Sequence, residues 1–154
     1  MTDYYYDNLS TVLGAMEVKA SSCGVKSIHF VDSIKTPRAN AITDIAKQQL
    51  LEYFAKERTV FDLPMEVDGT DFQQSVWQAL VRIPYGQTCT YGDIAKTINN
   101  PKGMRAVGLA NGKNPLTIVV PCHRVVGANG KLTGYAHGTE RKAKLLAMES
   151  ESLF

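Results

Sequence analysis

The chain has 154 residues, enough for one medium domain or two small ones. Its 44% hydrophobic and 21% charged residues are ordinary for a globular protein, and a net charge of +2 excludes a global polycation. Any nucleic-acid partner would have to meet a local basic face.

Cysteine usage narrows the field further. Cys23, Cys89 and Cys122 are odd in number and form no C-x-x-C pair, which argues against a disulfide framework and against a four-cysteine zinc site. The start of the chain, Met1 to Asp7, is polar and acidic and lacks the pattern of a signal peptide. No apolar run approaches the roughly 20 residues that cross a bilayer. A cytoplasmic protein is expected, with no membrane partner.

The first half predicts strand, strand, helix. Short β-like stretches lie around Val12 to Ala20 and Val25 to Ile34, separated by Ser21-Ser22-Cys23-Gly24. Ala41 to Lys56 predicts a helix capped by Asn40, with Ile42, Ile45, Ala46, Gln49, Leu50, Tyr53 and Phe54 at helical spacing. Phe61, Leu63 and Met65 alternate like a strand with one buried face. Asp68-Gly69 reads as a turn and a domain boundary, giving domains of residues 1–67 and 68–154.

The second half predicts mostly helix. Thr70 and Gln73 fit a capping box that opens a helix with Phe72, Val76, Trp77 and Leu80 on one face. Pro84-Tyr85-Gly86 ends it. Thr90 and Asp93 repeat the signal for a short helix from Tyr91 to Ile98, and a turn through Asn99 to Gly103 leads to a second one, Met104 to about Asn111. Two short helices across a Gly-containing turn have helix-turn-helix spacing, which is also that of many purely structural pairs. The apolar run Ile118 to Val120 predicts a buried strand ending at Pro121-Cys122-His123-Arg124-Val125. A last helix starts near Thr139-Glu140 and carries Ala143, Leu145, Leu146, Met148 and Glu149.

The chemistry concentrates at that pentapeptide. A thiol becomes a strong nucleophile as thiolate, and a neighbouring base or cation is how a protein reaches that state. Cys122 is the candidate nucleophile and His123 the candidate base. Glu149 either holds the imidazole in one tautomer, as a third group does in hydrolase triads, or is a solvated residue near a helix end. Neighbours on a strand point to opposite faces, so Cys122 and His123 require a sharp turn or a bridging water to communicate.

The order and spacing of several segments then resemble the O6-alkylguanine-DNA alkyltransferases. These are Phe72 to Leu80, Ile83-Pro84-Tyr85-Gly86, Thr90 to Ala95, Arg105-Ala106-Val107-Gly108, Asn114-Pro115, Pro121 to Val125, Gly134-Tyr135, Arg141-Lys142 and Leu145-Leu146 through Glu149. The resemblance covers residues 70 to 149. Residues 1 to 66 share only length and element order with that family.

The resemblance implies an α/β N-terminal domain, a small ribonuclease-H-like sheet with a helix. A mostly α C-terminal domain with a winged helix-turn-helix follows. It implies a single-use protein that moves an alkyl group from O6-alkylguanine, and also from O4-methylthymine, in double-stranded DNA to Cys122. Arg105, flanked by Met104 and Ala106, would meet the minor groove and fill the gap left by a flipped nucleotide. Tyr91 would bond the flipped base, and Asn114 would fix the turn into the acceptor segment. Backbone groups of Cys122, Val125 and Ala136 would bond guanine, with Tyr135, His137 and Asn111 around the pocket. His137 stands where many relatives have a small residue, so large alkyl groups are expected to react poorly.

No metal or organic cofactor is expected. Cys23 and His29 are too few for a structural zinc site, and Cys89 reads as a packed thiol. The protein is expected to be a monomer. Rival readings are a lesion-binding relative without acceptor function, which Cys122 disfavours, and a helix-turn-helix regulator, which the small apolar second helix disfavours. A cysteine hydrolase would need an oxyanion hole that the sequence does not offer.

Overall fold

The computed structural model describes residues 3–132 and 135–151. They fall into two compact units, one of residues 3–68 with 115–117, the other of 69–114 with 118–132 and 135–151. The first unit thus contains a short segment that the expected division at 67/68 left in the second domain.

The first unit is an antiparallel sheet in the order β1 (Tyr5–Thr11), β2 (Gly14–Ala20), β3 (Val25–Phe30), packed on α1 (Ala41–Phe54). The strand-strand-helix expectation therefore missed β1. Its tyrosines and Asp7 hide a β-forming segment, and cations cover its rings and that of Tyr4 just ahead of it. Lys19 lies 4.1 Å from the Tyr4 ring centroid, Arg38 4.9 Å from Tyr5 and Lys35 4.7 Å from Tyr6. Gly14, at φ 124°, closes the β1–β2 hairpin in a conformation that favours glycine. Leu9, Met16, Val18 and Ile28 line the core with Ala46, Leu50 and Tyr53 of α1.

α1 starts where Asn40 predicts. The Asn40 side chain accepts from the Thr43 N–H while the Thr43 hydroxyl accepts from the Asn40 N–H. Such caps contribute about 1 kcal/mol. The expected strand over residues 61–65 is not one. The chain there is pinned by Gln49, whose amide donates to the Asp62 carbonyl and accepts from its N–H, both at 2.9 Å. Only Met65 makes a bridge, to Val25. The returning segment completes the sheet edge at β3: Ile28 N–H donates to the Pro115 carbonyl and Thr117 N–H to the Ile28 carbonyl. Leu116 is buried there.

The second unit holds α2 (Asp71–Val81), a two-residue strand β4 (Cys89–Thr90), α3 (Tyr91–Thr97) and α4 (Met104–Gly112). A 3₁₀ turn (Cys122–Arg124), β5 (Val125–Val126) and α5 (Thr139–Glu151) follow. Both predicted capping boxes form, Thr70 with Gln73 and Thr90 with Asp93. Trp77 donates from its indole to the Ala110 carbonyl at 2.9 Å and so ties α2 to α4. Gly69 lies against the same ring, where an added Cβ would stand 2.6 Å from it. β4 pairs in parallel with β5, Cys89 opposite Val125. Among the described residues no helix is long and apolar enough to cross a membrane.

Candidate active site

The expected strand into Cys122 is replaced by turns. Ile118 has φ 75°, a left-handed conformation that costs a β-branched residue roughly 1–3 kcal/mol and rules out a strand there. Its side chain is buried, so packing holds it in place. Two residues after Val119, Pro121 leads into the 3₁₀ turn that carries Cys122, His123 and Arg124, all three buried. The sharp turn required for a Cys-His pair is therefore present.

Asn114 shapes this approach. Its side-chain amide donates to the Val120 carbonyl at 2.7 Å, closing the loop between α4 and the turn. Asn111, on the last turn of α4, donates to the Cys122 carbonyl at 3.5 Å, and Val125 N–H donates to the same oxygen. Burial pushes the Cys122 thiol up, while a hydrogen bond with Asn114 and the positive charge of Lys142 pull it back.

His123 and Glu149 meet although 26 residues separate them. Nε2 of the fully buried ring lies 2.7 Å from Glu149 Oε2. Glu149 is the acceptor, so Nε2 carries the proton and Nδ1 is the basic nitrogen. Nδ1 has no hydrogen-bond partner among the described residues, and the same holds for Asn111 Oδ1 and the Tyr135 hydroxyl. Burial lowers the affinity of the His123 ring for a second proton; Glu149 raises it, and Arg124 and Lys142 lower it. Burial also pushes the Glu149 carboxyl up, but hydrogen bonds from His123 and Arg124 outweigh that and hold it at about 2.

Two residues of this cluster escaped sequence reasoning. Arg124 donates from Nε to Glu149 Oε1 at 2.7 Å, from Nη2 to Oε2 at 3.1 Å and from Nη1 to the Ile83 carbonyl at 2.7 Å. Lys142 of α5 is fully buried, donates to the Val125 carbonyl and lies 6.0 Å from the Tyr91 ring centroid. The signal available for Arg124 was an arginine within an apolar run, since a charge placed there must find a partner. Nothing local marks Lys142.

The remaining expected residues fall into two groups. Tyr91 is half-buried at the start of α3. Tyr135 is buried and meets the half-buried His137 edge to face, with ring centroids 5.9 Å apart, and Ala136 between them is exposed. Val125 is buried beneath Lys142. Met104, Arg105 and Ala106, by contrast, are exposed on the outer face of α4, whereas Val107 and Ala110 of the same helix are buried. Gly134 lies outside the described residues.

A buried thiol next in sequence to an imidazole–carboxylate pair, in a unit built from short helices, is an arrangement that can serve a cysteine nucleophile. Residues 71–151 match the family model described as 6-O-methylguanine DNA methyltransferase, DNA binding domain. A methylated-DNA–protein-cysteine methyltransferase of Methanosarcina acetivorans is 47% identical over 94% of this chain and 97% of its own. One from Mycolicibacterium paratuberculosis is 45% identical over 94% and 91%. The crystal structure of the Mycobacterium tuberculosis O6-methylguanine methyltransferase superposes with a TM-score of 0.89 at 41% identity, covering 97% of this chain and 94% of that one. The chain belongs to the methylated-DNA–protein-cysteine methyltransferase family.

Proposed function

We propose that this protein repairs DNA by transferring an alkyl group from O6 of guanine, and from O4 of methylthymine, irreversibly to Cys122. The observation that carries the reading is the buried Cys122 in its 3₁₀ turn, beside a His123 whose Nε2 is committed to Glu149 and whose Nδ1 has no hydrogen-bond partner among the described residues. A relative solved in complex with DNA, from Mycobacterium tuberculosis, is 43% identical and superposes with a TM-score of 0.88, which supports DNA as the partner.

α3, the intervening turn and α4 act as the helix-turn-helix of a winged module, and the first unit is a ribonuclease-H-like α/β domain. α4 enters the minor groove. Its outer face is small: around Gly108 an added Cβ would meet nothing within 4 Å, so protein packing does not demand glycine there. A close-approaching DNA backbone does. Arg105 fills the space of the flipped nucleotide, with Met104 and Ala106 beside it.

The reaction follows from the charges. The Cys122 proton passes to His123 Nδ1, directly or through one water, as Glu149 stabilises the imidazolium that forms. The thiolate attacks the alkyl carbon, an S–C bond forms, the C–O6 bond breaks and the electron pair stays on guanine. Donors from Tyr91 and the Ala136 N–H stabilise the charge growing on the base. The Val125 carbonyl, which also accepts from Lys142, has a second lone pair for the guanine amino group. The same role for the Cys122 carbonyl requires the Asn111 amide, at 3.5 Å, to give way. The thioether product has no acidic hydrogen and does not hydrolyse, so each molecule acts once. The protein works as a cytoplasmic monomer without metal or cofactor.

The test is intact-protein mass after mixing with a duplex that carries one O6-methylguanine. A gain of one methylene on the peptide containing Cys122, absent from Cys122→Ala, is expected. Lesion binding without mass gain would replace the reading with that of a non-reacting lesion binder.

A further inference from the structure

Arg124 has no role in the steps above, yet its side chain makes three hydrogen bonds within the buried cluster. Its guanidinium is fixed at three nitrogens, Nε and Nη2 on Glu149 and Nη1 on the Ile83 carbonyl, and lies 5.6 Å from the Tyr85 ring centroid. It cannot swing away without leaving a buried carboxylate and a buried carbonyl short of donors. Glu149 Oε2 is shared by Arg124 Nη2 at 3.1 Å and His123 Nε2 at 2.7 Å.

We propose that Arg124 is a positioning residue for the acceptor reaction: it neutralises Glu149 and thereby keeps the resting His123 ring uncharged, with Nδ1 available to take the Cys122 proton. The inference rests on the alkyl-transfer reading above. A histidine facing a lone buried carboxylate gains most by becoming an imidazolium, because the ion pair then satisfies both groups. Such a ring has a proton on each nitrogen and cannot accept another. With Arg124 in its fork the carboxylate charge is already balanced. The charged or titratable groups facing His123 are Glu149 and Lys142 from α5 and Arg124 from its own turn, with the Cys122 thiol adjacent. Two of the three charges are positive, so a third positive charge on the resting ring is disfavoured. Glu149 thus sets the tautomer and Arg124 sets the charge state.

The same arrangement serves the end of the reaction. The S–H bond of Cys122 breaks as an N–H bond forms at Nδ1. After the S–C bond replaces the C–O6 bond, that proton leaves Nδ1 for the guanine anion. An imidazolium next to a carboxylate that Arg124 already neutralises is a better acid, and it gives the proton up more readily.

The experiment is ¹⁵N NMR of the histidine rings in the full chain between about pH 5 and 8.5, for wild type, Arg124→Gln and Arg124→Lys. Methyl transfer to Cys122 is timed over the same range. The chain has three histidines, so the His123 signals are assignable. Wild type should show a neutral, Nε2-protonated ring down to the acid end of the range. Arg124→Gln should show a charged ring with its midpoint moved to higher pH. Its transfer rate should fall away from wild type by about tenfold for each pH unit below that midpoint. Arg124→Lys, which keeps a charge without the fork, should lie between the two and decides the matter if the Gln variant does not fold. A ring in either variant that titrates as in wild type, with transfer slowed equally at every pH, would overturn the proposal and leave Arg124 a packing residue. If wild type transfers no methyl group while the ring midpoint still moves, the alkyl-transfer reading falls and the charge assignment stands.

Discussion

Replacing Glu149 by Gln tests the buried cluster as a unit. The substitution keeps the shape and one acceptor oxygen but removes the charge that balances Arg124 and orients His123. The native carboxyl titrates at about 2, against an ordinary 4.5. Because the folded value is depressed, its stabilisation is fully present above the ordinary value and is lost as pH falls from there towards 2. The gap corresponds to about 3 kcal/mol. At neutral pH the variant also leaves Arg124 buried without a counter-charge, a loss of about 3–5 kcal/mol from a domain whose total stability is about 5–15 kcal/mol. Trp77 is the sole tryptophan and sits in the core of the second unit, so its fluorescence in urea reports that unit alone. The unfolding midpoint should fall by more than about 1 M at pH 7. The difference between wild type and variant should shrink steadily as pH drops below 4.5. A midpoint unchanged at pH 7, or a difference that stays constant with acid, would refute the account of Glu149 as a charged anchor.

Gly108→Ala should raise thermal stability, since a helical glycine costs about 1 kcal/mol relative to alanine and an added Cβ at this half-buried position would meet nothing within 4 Å. It should weaken affinity for duplex DNA at the same time, and unchanged affinity in a gel-shift titration would remove α4 from the DNA-facing surface. Asn114→Ala removes a buried donor to the Val120 carbonyl and the hydrogen bond that favours the Cys122 thiolate. It should cost about 1–3 kcal/mol in urea unfolding and slow alkylation most at low pH, which rapid-quench methyl transfer would measure. His137→Gly should speed reaction with O6-benzylguanine relative to O6-methylguanine, because it removes the ring packed edge-on against Tyr135. An unchanged ratio of the two second-order rates would place His137 away from the alkyl group's path.

Local signals in the sequence were strong wherever a side chain answers its own backbone. The three helix starts at Asn40, Thr70 and Thr90 are each marked by a polar residue that caps an amide three positions on, and each forms. The apolar face of α2 is equally legible, with Val76, Trp77 and Leu80 buried. What was not legible depends on partners distant in sequence. β1 reads as polar until the cations that cover its tyrosines are in place. Ile118 looks like strand and is a left-handed turn, because the constraint on it comes from packing. The contact of His123 with Glu149 could be suggested from residue types, whereas the fork of Arg124 and the burial of Lys142 could not. Burying a cation is unfavourable alone, and only the folded chain shows what compensates it.

The threading of residues 115–117 has a consequence for how the protein is made. The edge of the first unit's sheet is finished by the Pro115 carbonyl and the Thr117 N–H, and Leu116 sits in its core. When the first 68 residues leave the ribosome, that unit still lacks a piece of itself. The missing piece arrives only after α2, α3 and α4 have been synthesised, so the usual order in which an N-terminal domain folds to completion first cannot apply. The segment that closes the first unit is followed four residues later by Pro121 and then by Cys122. Cys122 finds its surroundings later still, because Lys142 and the Glu149 partner of His123 lie further along the chain in α5.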